Sequence, residues 1–115
     1  MTLPDLTPAE FTRLLDDEAS SLDPEAWKIF DRYAAPPFRA AYEFGGVNGR
    51  ATSPVWIIAR EGDVVLGYDE AEDEYGIGTL RADGLVDGWG TFGPRLRWSL
   101  IRFPDPAAFI EPRPA

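Results

Sequence analysis

Five carboxylates occupy the six positions Asp69-Glu70-Ala71-Glu72-Asp73-Glu74, and the chain contains neither histidine nor cysteine. Acid–base work by paired carboxylates and charge-steered binding are the two chemistries this inventory leaves open. The commonest general base, the commonest metal ligand and the best neutral-pH nucleophile are missing. Two carboxyl groups can hydrolyse or isomerise when one has a raised pKa, and the candidates are Glu43, Asp69, Glu72 and Glu74, although no pocket signature marks a pair. Ser20, Ser21, Ser53 and Ser99 have no imidazole to activate them, and no pattern supports a dyad with Lys28. Calcium loops need ligands at alternate positions followed by glycine, and residues 69–74 have neither, so no metal and no cofactor are expected. Gly76-Ile77-Gly78 is only a fragment of a dinucleotide fingerprint: no third glycine and no helix follow.

The acidic run therefore reads as a binding surface for a basic protein partner. Flanking Tyr68 and Tyr75 would add rigid amphipathic area of the kind enriched at interfaces. Trp89, set between Gly88 and Gly90, is the tryptophan expected at the surface, as an anchor or an edge plug. Trp27, Trp56 and Trp98 read as core. Arg95, Arg97 and Arg102 form a small basic patch expected to pair with carboxylates rather than with nucleic acid. A net charge of -9 disfavours phosphate backbones and anionic lipid alike. The alternative reading of the run is a solvated loop, since charge runs are usually that.

The elements that position these residues are legible from local patterns. With 115 residues and 44 % hydrophobic content the chain is expected to be one domain, residues 1–115, with its own core. Thr7-Pro8-Ala9-Glu10 is a capping box with proline at the first helical position, predicting a helix over Pro8–Ser20 with Phe11, Leu14 and Leu15 on one face. Asp23-Pro24-Glu25 opens a second helix, with Trp27, Phe30 and Ala34 on its apolar face, and Pro36-Pro37 closes it. From Phe38 the period drops to two, with Phe38, Ala40, Tyr42 and Phe44 facing one way. Gly45-Gly46-Val47-Asn48-Gly49 reads as a loop. Val55-Trp56-Ile57-Ile58-Ala59 predicts a central strand, residues 64–68 its hairpin partner and residues 75–80 the next strand. Residues 85–92 suit a bulged edge strand or a loop. Residues 94–103 fit either a helix or a strand, and the flanking prolines favour the helix. A proline-rich tail follows at residues 105–115.

The expected fold is thus α+β: two N-terminal helices packed on an antiparallel β-meander of about four to five strands, with a C-terminal helix. The N-terminus shows no signal-peptide pattern, and no run approaches the roughly 20 apolar residues of a membrane span. A cytoplasmic location is expected. The arginine-rich, lysine-poor coding bias suggests a bacterial source.

In size, acidity, missing catalytic inventory and α+β pattern the chain resembles the immunity proteins that neutralise bacterial toxins, many of which cap a basic nuclease or other effector domain. The resemblance lies in general character and quotes no motif. It implies inhibition by occlusion, with complementary charge speeding encounter. Two further classes are a carboxylate hydrolase or isomerase, and an assembly subunit using Trp89 and an exposed sheet edge.

Overall fold

The computed structural model describes residues 6–46 and 49–104. The chain order is α1 (Pro8–Ser20), α2 (Pro24–Tyr33), β1 (Ala34–Gly46), β2 (Gly49–Glu61), β3 (Val64–Asp69), β4 (Glu74–Leu80), β5 (Leu85–Thr91) and α3 (Leu96–Leu100). The α+β class, the two opening helices and a five-stranded meander are as the sequence predicts. The proline-rich tail and residues Val47 and Asn48 lie outside the described residues.

Helix α1 begins where its capping box places it. The Glu10 backbone N–H donates to Thr7 Oγ1 at 3.1 Å and the Thr7 N–H donates to Glu10 Oε1 at 2.9 Å. Helix α2 ends at Tyr33, before the two prolines, which fall in β1 at a break in register between Ala34 and Phe38. Prolines have no N–H for a ladder, so an irregular stretch is where a strand can hold them.

The sheet closes into a barrel in the order β1-β2-β3-β4-β5. Successive strands pair antiparallel, and β5 returns beside β1 in parallel through Ala41↔Leu85 and Tyr42↔Val86. This corrects the expectation that residues 85–92 form an edge or a loop: β5 has a neighbour on each side. The predicted irregularity is present as a register shift opposite Ile77 and Thr79, near Gly88 with its φ of 62°. The glycine-rich loop also proves shorter than expected, since β1 runs to Gly46 and β2 starts at Gly49.

Alternation along the strands divides the core in two. One cluster draws on all five strands: Val55, Ile57, Val65 and Val86, with Phe38, Tyr42, Leu80 and Trp89 packed against them. It fills the barrel. The other lies between the barrel wall and the helices, where Trp56, Leu66, Tyr68, Tyr75 and Ile77 meet Phe11, Leu15, Ala26, Phe30, Leu96 and Leu100. Both faces of β2, β3 and β4 are therefore buried, the inner one as closure around a filled interior requires. A register shift between Ile57 and Ala59 sets Ala59 opposite Leu66, and Ile58, Ala59 and Leu66 all join the cluster under the helices. A bulge with that effect turns a strand without exposing its apolar residues.

Three tryptophans are not where the sequence put them. Trp27 and Trp98, expected in the core, are each 47 % exposed. On α2 the buried positions are Ala26 and Phe30, so the helix is rotated from the face that Trp27 would share. On α3, Leu96, Ser99 and Leu100 point inward and Trp98 falls between them. Trp89, expected outside, instead stacks on Tyr42 with ring centroids 5.4 Å apart, its indole nitrogen buried. Phe44, expected to share the inward face of β1, is 48 % exposed. Trp56 is core as predicted, stacked on Phe11 at 4.7 Å.

Candidate functional site

The acidic run is a tight hairpin tip. Asp69 and Glu74 are the last ladder pair of β3 and β4, leaving a four-residue loop of Glu70, Ala71, Glu72 and Asp73. Asp73 takes a left-handed φ of 52°, which aspartate tolerates better than most side chains. Like charges so close would repel, and the fold absorbs part of that repulsion by giving three of the carboxylates partners.

Asp69 is fully buried. It accepts from the Tyr42 hydroxyl at 2.8 Å and from the Ala71 backbone N–H at 3.0 Å. Burial, followed by the bond to Asp69, raises the Tyr42 pKa. Glu70 accepts from Arg39 Nη1 at 2.6 Å and from the Leu6 N–H at 2.9 Å. Arg39 in turn lies over the Trp56 ring, 4.2 Å from its centroid. Asp73 accepts from the Tyr68 hydroxyl at 2.6 Å. Of the run, only Ala71, Glu72 and Asp73 are exposed, and Glu74 is half-buried.

The proposed flanking aromatics are likewise interior. Tyr68 and Tyr75 face the helices, their rings 4.9 Å apart, because both sit on the strand face that α1 covers. Neither ring can offer surface area to a partner, and Trp89 is partly buried against Tyr42. Desolvation pushes the pKa of both phenols upward, with the neighbouring carboxylates adding to the shift, so both hydroxyls keep their protons.

Beside the hairpin tip opens a cleft of about 730 Å³. Leu6 and α1 supply one wall with Glu10, Arg13, Leu14, Asp17 and Glu18, the sheet supplies Tyr68, Asp73 and Tyr75, and the segment before α3 supplies Pro94 and Arg95. Four carboxylates thus face two arginines. Glu18 Oε2 accepts from the Leu96 N–H at 3.2 Å, and its other oxygen lies 3.5 Å from Arg95. Arg95 also donates to Ser21 Oγ at 3.2 Å. No local pattern announces this cleft, because its walls come from three segments separated along the chain, Leu6 with α1, the β3–β4 hairpin and the stretch before α3. A helical face carrying Glu10, Arg13, Asp17 and Glu18 at spacings of three, four and one was the only trace.

The other carboxylate candidates do not form a pair. Glu43 belongs to an ion cluster with Arg81 at the β4–β5 turn, where Arg81 also meets Asp83 and Asp87. Asp69 is held at the opposite end of β4, by Tyr42. Of the C-terminal arginines, Arg95 pairs with Glu18 and Arg97 with Asp23 at 2.9 Å, as the sequence predicts, and Arg102 donates to the Trp98 carbonyl. Among the described residues no group of three or more carboxylates converges to hold a metal ion, and no helix is long and apolar enough to cross a membrane.

The site thus combines an acidic hairpin tip with a mixed-charge cleft of acidic balance, floored by protonated phenols. The chain matches no family model, no curated protein and no solved structure.

Proposed function

We propose that this protein is a small, non-enzymatic binding module that occludes a basic protein partner, in the manner of the bacterial immunity proteins it resembles in general character. The observation that carries this reading is the adjacency of the exposed hairpin residue Asp73 to Glu10, Asp17 and Glu18 of α1 around one cleft. Summed charge of one sign on a concave surface raises the encounter rate with the opposite sign. Supporting it further, the carboxylates best placed for chemistry are occupied structurally: Asp69 by Tyr42, and Glu43 by Arg81.

The binding face is narrower than the acidic run. Glu72, Asp73 and Glu74 are its hairpin part, while Asp69 and Glu70 hold the hairpin in place. The test compares wild type with Glu72→Gln/Glu74→Gln, first in a denaturant melt and then in association kinetics with a partner isolated from the native cells at two salt concentrations. The variant is expected to keep its stability, associate more slowly and show a weaker salt dependence. Unchanged association rates would return the hairpin to a solvated loop.

A further inference from the structure

Among the described residues, the Tyr75 hydroxyl is buried with no hydrogen-bond partner. Buried polar groups are nearly always paired, so an orphan asks for an explanation. The side chain is fully buried and forms part of the cleft floor. The charges that act on its hydroxyl include Glu18, Asp73 and Arg95, all three of them cleft residues. The orphan thus belongs to a residue that lines the cleft beside Glu18 and Asp73.

Chemistry selects the occupant. Four carboxylates against two arginines leave the cleft acidic, and one of those arginines, Arg95, is engaged with Glu18 and Ser21. Each carboxylate oxygen can accept more than one hydrogen bond, so Glu18 and Asp73 keep acceptor capacity beside their present partners. Acceptors spread over two carboxylates and a phenol oxygen suit a group with several donors in a planar fork. Guanidinium has five and is weakly hydrated; ammonium has three and is strongly hydrated.

We infer that the cleft seats an arginine side chain of the basic partner, its guanidinium against Glu18 and Asp73 with an N–H donated to the Tyr75 hydroxyl oxygen. The inference rests on the protein-binding reading above and gives it an anchor. The hairpin tip steers the partner in, and the cleft holds one side chain of it.

The test uses tetra-arginine amide as probe, with tetra-lysine amide and tetra-glutamate for comparison, titrated into the full chain at low salt and followed by calorimetry. Wild type is expected to bind tetra-arginine most tightly, less so as salt rises. Tyr75→Phe is expected to weaken that binding about tenfold, the worth of one hydrogen bond to a charged group, with a melting temperature equal to or above wild type. A merely structural hydroxyl would instead lower the melting temperature, and that result would overturn the inference. Equal binding by wild type and Tyr75→Phe, no binding of tetra-arginine, or preference for tetra-glutamate would overturn it as well. Asp17→Asn, on the exposed cleft wall, gives a second arm expected to weaken binding without touching stability. If Glu72→Gln/Glu74→Gln slows partner association while Tyr75→Phe leaves probe binding intact, the anchor fails and the acidic-face reading stands. The opposite pattern removes the steering hairpin and keeps the cleft.

Discussion

A single threonine sets the first boundary of this fold, since Thr7 closes the N-terminus of α1 together with Glu10. Thr7→Ala is expected to cost about 1 kcal/mol in a denaturant melt. The reciprocal bonds from Thr7 lower the Glu10 pKa below its ordinary 4.5. Because the folded value is depressed, the contribution of Glu10 is present above its unfolded pKa and is lost as pH falls through the folded one. The difference in melting temperature between wild type and Glu10→Gln should therefore be present at neutral pH and shrink below about pH 4. Gly76 acts by the space it leaves. A Cβ there would lie 2.6 Å from Trp89 Cζ2 and 2.7 Å from the Gly90 carbonyl oxygen, so Gly76→Ala forces the indole and the strand apart. The expected loss is about 1–3 kcal/mol, the usual cost of overpacking, measured by the same melt.

Among the elements, the seam between β1 and β5 is the weakest part of the barrel. Its parallel register holds only Ala41↔Leu85 and Tyr42↔Val86, whereas β3 and β4 pair continuously from Val64↔Thr79 to Asp69↔Glu74. Local opening follows the density of ladder bonds and buried contacts. Native-state hydrogen exchange should accordingly find the amide of Val86 exchanging faster than those of Val65 and Ile77. Equal protection across the seam would show that the barrel opens only by global unfolding. The β3–β4 hairpin is anchored more firmly, through Glu70 to Arg39 and Leu6. That anchoring ties Leu6, a cleft-lining residue, to the hairpin tip.

For the molecule as a whole, an excess of nine negative charges makes the compact state self-repelling. Raising the salt from about 10 mM to about 150 mM shortens the screening length from roughly 30 Å to roughly 8 Å. The long-range repulsion is screened more completely than contact pairs such as Arg39–Glu70. The melting temperature should therefore rise with salt over this range. A fall would mean that the ion pairs around Arg39, Arg81 and Arg95 outweigh the repulsion.

What the sequence determined alone is what local chemistry controls. A capping hydroxyl, prolines at helix starts, a two-residue apolar period and short Gly-Asp turns act within a few residues of themselves, so α1, α2, β2, β3 and β4 and the turns between them could be read directly. Trp56 could be placed in the core because its strand is apolar on both faces. Tertiary structure alone decided whether the meander closed, since the β1–β5 seam joins residues more than forty positions apart and leaves no local trace. Closure then reassigned the aromatics: Trp89 gained an interior to fill, and Trp27 and Trp98 were left outside by the rotation of short helices. It also decided which carboxylates of the acidic run are held in place, because the side-chain partners of Asp69 and Glu70, Tyr42 and Arg39, lie on β1. The cleft beside α1, with the unpartnered Tyr75 hydroxyl at its floor, exists only once helix, hairpin and the segment before α3 have been brought together.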